Sequence, residues 1–143
     1  MNIKMESGGM WYGEQVIADM KKELQESFFE TAKRIETDAK AICPVGPGVP
    51  MHLRDTIRAR QARQEKFKPG AFVFMGDRDK GVYWHYMVEF GTYYRPAHPV
   101  LRPAADKNFN AGLAEAAHAG QRAINAKRRA SDKAKRIGAG LKR

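Results

Sequence analysis

One cysteine, Cys43, occurs in the 143 residues, which excludes an intramolecular disulfide and any cysteine-built metal site. It precedes Pro44 at the end of an apolar helical face and reads as a small buried hydrophobe rather than a reactive thiol. No apolar run approaches the 18 residues of a membrane-spanning helix, so no span is expected. The opening M-N-I-K-M-E-S-G-G-M lacks the hydrophobic centre of a signal peptide, and the expectation is a soluble chain made in a reducing cytoplasm. The four histidines, His52, His85, His98 and His118, include no pair at a metal-ligand spacing. His85 and Glu89 stand one helical turn apart, but no third ligand or nucleophile is near them in sequence, which favours a structural pair. The alternating acids Asp77 and Asp79 lack the remaining ligands and closing glutamate of a calcium loop, and Arg78 and Lys80 are ready counter-ions. No G-x-S-x-G, Walker loop, H-E-x-x-H or dinucleotide fingerprint occurs. These absences predict a protein that is not an enzyme and holds no metal and no cofactor. Internal repeats are absent as well.

What is present divides unevenly. Hydrophobic residues make up 43% and charged residues 29%, a composition that suggests one compact body with polar extensions. Of the net charge of +10, +8 lies in residues 119–143, where nine Lys or Arg face the single acid Asp132. The expected organisation is therefore a flexible N-terminus over 1–13, one α+β domain over 14–126, and a weakly ordered basic tail over 127–143.

From about Glu14, apolar residues recur at helical spacing: Val16, Met20, Leu24, Phe28, Ala32, Ile35, Ala39 and Ile42. Pro44 ends this long helix, and its drifting repeat favours packing on a sheet over a coiled coil. The run P-V-G-P-G-V-P at 44–50 is a loop. Residues 58–66 read as a strand, 68–70 (Lys-Pro-Gly) as a type II turn, and 71–75 (A-F-V-F-M) as a buried strand, together a β-hairpin. Residues 82–90 fit either period. From Pro103 to about Lys127 an alanine-rich helix is expected, with Ala105, Phe109, Gly112, Leu113, Ala116, Gly120, Ala123 and Ile124 inward. Its small residues suit close approach to another backbone and hint at a partner chain.

The densest stretch is 83–104, Y-W-H-Y-M-V-E-F-G-T-Y-Y-R-P-A-H-P-V-L-R-P-A. Gly91 punctuates an aromatic run, and Pro96, Pro99 and Pro103 then fix φ at intervals, giving a stiff strap that leads into a helix. Pro103 reads as the first helical residue. The combination V-E-F-G-T at 88–92 and P-A-H-P-V-L-R-P-A at 96–104 resembles the small head–tail joining, or tail-completion, proteins of the neck of long-tailed bacteriophages. The segment Leu53-Arg54-Asp55-Thr56-Ile57 matches a further family pattern, with Met51-His52 in place of its usual Thr-Gly. The motif residues carried over are Glu89, Phe90, Gly91, Thr92, Pro96, Pro99, Arg102 and Pro103.

The resemblance implies an α+β subunit: a long N-terminal helix on a small antiparallel sheet, a short E-F-G-T helix closed by Gly91 in a left-handed cap, a C-terminal helix and a basic tail. It implies a structural virion component that assembles in the host cytoplasm as an oligomeric ring with other neck and tail proteins. Glu89, flanked by large apolar residues, requires a partner if buried. Arg102 is expected to supply it, with Arg54 the other candidate. The competing expectation is a basic nucleic-acid-binding protein acting through its tail. Lys127, Arg128, Arg129, Lys133, Lys135 and Arg136 would contact DNA without sequence preference, or else an acidic protein surface.

Overall fold

In the computed structural model the described residues are 13–46, 52–63 and 68–140, the side chains of 134, 135 and 137–140 excepted. The expected flexible N-terminus therefore lies outside them, apart from Gly13, as do most of the proline-rich loop and the side chain of Lys135.

The apolar spacing after Glu14 forms helix α1, Gly13–Ile42, with Glu14 in its first turn and Lys40 in its last, each suited to the helix dipole. A one-turn helix α2, Leu53–Thr56, leads into β1, Arg58–Gln61. Strand β2, Ala71–Phe74, pairs with β1 antiparallel in the register Arg58↔Phe74 to Gln61↔Ala71. The short helix α3, His85–Phe90, follows, and helix α4, Leu101–Gly140, completes an α+β fold. At about 1.5 Å per residue α4 is roughly 60 Å long.

Helices α1 and α4 run antiparallel, since Asp38, Arg34, Glu23 and Asp19 of α1 meet Asn108, Glu115, Arg122 and Lys127 of α4 in reverse order. Their seam is made of small residues. Ala104, Ala116, Ala119 and Ala123 are buried, Gly112 lies against Thr31, and Gly120 against Leu24 and Met20. The close approach expected of these small residues is thus to α1 of the same chain. The larger residues expected inward are turned out: Phe109, Leu113 and Ile124 are exposed, as is Ile42 on α1. Once glycine and alanine hold the contact, the backbones sit too near for bulkier side chains to share it.

A second side of α1 carries the hairpin. The Gln25 side-chain amide donates to the Gly70 carbonyl (2.6 Å) and accepts from the Gly70 N–H (2.9 Å), satisfying both backbone groups. Gly70 does not take the positive φ that a type II turn at 68–70 would require. The clamp from α1 sets its geometry instead. Further along, Glu36 accepts from the Ala59 N–H (2.7 Å) and from Lys40 (2.5 Å). Desolvation pushes the Glu36 pKa up, but these two donors and nearby Arg58 outweigh it and hold the carboxyl below its ordinary value.

The core gathers where the end of α1 meets the start of α4: Ala39, Cys43, Leu53, Ile57, Met75, Val82, Val100 and Ala104, with Ile35, Val73, Trp84, Val88 and Leu101 packed around. Cys43 belongs to this core, and burial raises its thiol pKa. No described helix is long and apolar enough to cross a membrane.

Candidate functional site

Helix α4 starts at Leu101, two residues before the proline that was expected to open it. The backbone nitrogens of its first four positions, residues 100–103, have no intrahelical acceptor. Glu89, on α3 and only 7% exposed, supplies what is missing. One carboxylate oxygen, Oε2, accepts from the N–H of Val100 (2.7 Å) and of Leu101 (3.1 Å), and Oε1 accepts from that of Arg102 (3.1 Å). The fourth residue is Pro103, which has no N–H to satisfy. One glutamate and one proline therefore account for the whole helix start, and a negative charge sits where the helix dipole favours it.

This corrects the expected Glu89–Arg102 ion pair. Arg102 contributes its backbone N–H, while its guanidinium lies 4.5 Å from the centre of the Phe90 ring. Aiming the carboxylate down the axis of α4 leaves the Arg102 side chain on the surface, where an aromatic face is its nearest favourable partner. His85, one turn from Glu89, takes no part. Its buried Nδ1 has no hydrogen-bond partner and lies against Gly76, so the expected structural pair does not form.

The strap between Glu89 and Val100 is held as a unit. Gly91 has φ +78° and ψ 179°, a positive φ as expected, but an extended ψ rather than the left-handed helical cap. A Cβ there would stand 2.7 Å from the Ala97 nitrogen and 3.0 Å from the Arg95 oxygen. Thr92 and Arg95 then close a tight turn, Thr92 N–H to Arg95 O at 2.9 Å, with the Thr92 hydroxyl accepting from the Arg95 N–H at 3.2 Å. The returning chain is tied to α3 by the His98 N–H on the Val88 carbonyl (2.8 Å). Pro96 and Pro99 lie in this exposed return.

What the unit presents outward is aromatic. Tyr93 and Tyr94 cap the turn at 95% and 90% exposure, ring against ring, and Phe90 and Tyr86 on α3 and Tyr83 before it are exposed as well. Behind the turn lies an open cavity of about 490 Å³ lined by Trp84, Met87, Val88, Tyr94, Pro96 and His98 among others. A second apolar groove, about 410 Å³, runs between α1, the hairpin and the start of α4, past Phe28, Ile35, Val73 and Leu101. The sequence pattern did not disclose this groove, because it forms between elements rather than within one.

The basic segment is not a loose tail. Residues 127–140 continue α4. The structure also divides the cations expected to act together. Lys127 turns back to Asp19 on α1 (2.8 Å), whereas Arg128, Arg129, Lys133 and Arg136 are exposed and have no ion-pair partner among the described residues. No three His, Cys, Asp or Glu side chains among the described residues gather as a metal would require. Comparison with known proteins brings no relative: no family model, curated protein or solved structure matches the chain.

Proposed function

We propose that the chain is a non-enzymatic structural component of the neck or tail top of a long-tailed bacteriophage, assembling as an oligomeric ring that completes the tail or joins it to the head. The observation that carries this reading is the Glu89 cap. It gives a physical reason for the two motifs to occur together. The glutamate of V-E-F-G-T caps the helix whose first turn carries the R-P-A segment, and the residues between are tied back to α3 through the Thr92–Arg95 turn and the His98–Val88 hydrogen bond. A turn tipped by two nearly fully exposed tyrosines, on a chain that exposes further aromatics on and before α3, has the character of a surface that another protein covers.

Electron microscopy of the purified chain tests the proposal. Annular particles of uniform diameter are expected, and the double variant Tyr93→Ser/Tyr94→Ser should disperse them without lowering the unfolding temperature, since neither ring supports the core. The competing reading, a basic nucleic-acid-binding protein, rests on the exposed cations Arg128, Arg129, Lys133 and Arg136 of α4. A chain that stays monomeric up to its solubility limit, yet binds duplex DNA, decides for it and against the ring.

A further inference from the structure

The far end of α4 carries charge in a pattern that the neck proposal does not use. Arg129, Lys133 and Arg136 follow at i, i+4 and i+7, which places them on one face of the helix, with Arg128 adjoining. All four are exposed, and Asp132 is the only acid among them. They span about 12 Å of helix axis at 1.5 Å per residue. Lys127 turns back to Asp19 of α1, and α1 still runs alongside here, with Gln15 level with Lys127, Ala130 and Ser131.

We infer that this basic face is a contact surface for the phosphate backbone of duplex DNA. Between Ile124 and Ile137 the only apolar side chains are alanines. A protein partner of opposite charge would find no large anchor to bury, which is what concentrates binding energy at protein interfaces. A polyanionic backbone needs none, because binding is driven by the release of condensed counterions. Single-stranded nucleic acid fits less well. It is held by aromatic stacking, and no Phe, Trp or Tyr follows Phe109. The first 118 residues carry only +2 of the net charge. The net charge that a phosphate backbone would meet is therefore concentrated on α4 rather than spread over the body. The inference stands on this charge pattern and does not depend on the neck proposal.

The test is fluorescence anisotropy of a short random-sequence DNA duplex titrated with the full chain between about 50 and 200 mM salt. Affinity should fall with salt. Replacing all four residues (R128Q, R129Q, K133Q and R136Q) should reduce the magnitude of the log K against log salt slope by about 3 to 4, from about 0.9 for each phosphate contact. A matched control removes the same charge from the body (R54Q, R58Q, R60Q and R63Q) and should leave most of the slope intact. Circular dichroism verifies that both variants remain folded. Equal losses in the two variants would show a response to net charge alone and overturn the inference. So would a failure of the wild-type chain to bind duplex at the lowest salt, or competition by poly-glutamate as effective as that by unlabelled duplex.

Discussion

Replacing Glu89 by alanine removes the acceptor for three backbone N–H groups in one step. They are not equally costly. Val100 is fully buried, at 0% exposure, and its stranded N–H bears a penalty of about 1–3 kcal/mol. Leu101 is half-buried and Arg102 exposed, so water reaches their amides, and each costs about 0.5–1 kcal/mol. The sum, about 3 kcal/mol, exceeds the roughly 1 kcal/mol of an ordinary N-cap because this cap is buried and serves three donors. For a chain of this size it corresponds to a fall in Tm of roughly 10 °C. Glu89→Gln keeps one acceptor oxygen but turns an NH2 towards at least one donor, and should fall between wild type and alanine. Urea unfolding of both variants gives the free energies, and amide hydrogen exchange locates the effect at residues 100–102. Wild-type stability to within about 0.5 kcal/mol in Glu89→Ala, the usual range for surface changes, would refute the cap.

Three further outcomes are expected. Gly91→Val forces a β-branched residue to φ +78° and a Cβ into the Ala97 and Arg95 backbone, so it should cost more than about 2 kcal/mol in thermal unfolding; an unchanged Tm contradicts the strap geometry. Gln25→Ala removes both hydrogen bonds that clamp Gly70, and should cost about 1–3 kcal/mol and accelerate amide exchange at Gly70 but not at Val100; equal protection at Gly70 in variant and wild type counts against the clamp. Glu36 has a lowered pKa in the folded state, so its contribution is complete above its unfolded value of about 4.5 and is lost as pH falls through the lower folded value. Glu36→Gln should accordingly flatten the acid limb of the stability–pH curve, and an identical limb in the variant excludes that role.

The elements with a strong local signal were legible in the sequence. The 3.6-residue repeat before Pro44 gave α1, the aromatic run after Gly70 gave β2, and Gly91 ended α3 with the positive φ its position suggested. Strand β2 is only half-buried, however, with Phe72 exposed where a buried strand was expected. What was misread depends on contacts between elements. Phe109, Leu113 and Ile124 look like an inward face by hydrophobicity, yet the glycines and alanines beside them decide the seam, because closeness of two backbones outweighs side-chain size there. Gly70 looks like a turn glycine until Gln25, 45 residues earlier, is seen to hold it. The need for Glu89 to have a partner could be foreseen from its apolar neighbours. Its identity could not, since backbone N–H groups leave no trace in a list of side chains. Composition likewise placed the positive charge after residue 118 but gave no sign that α4 would carry it as one continuous helix.

Electron cryomicroscopy of phage particles assembled with this chain looks for the proposed ring where it would act, at the junction of head and tail. A ring of density is expected there, into which the antiparallel α1–α4 pair fits with the Thr92–Arg95 turn buried against a neighbouring subunit. Particles that assemble complete necks and tails without the chain, or density that leaves Tyr93 and Tyr94 facing solvent on every subunit, would contradict it.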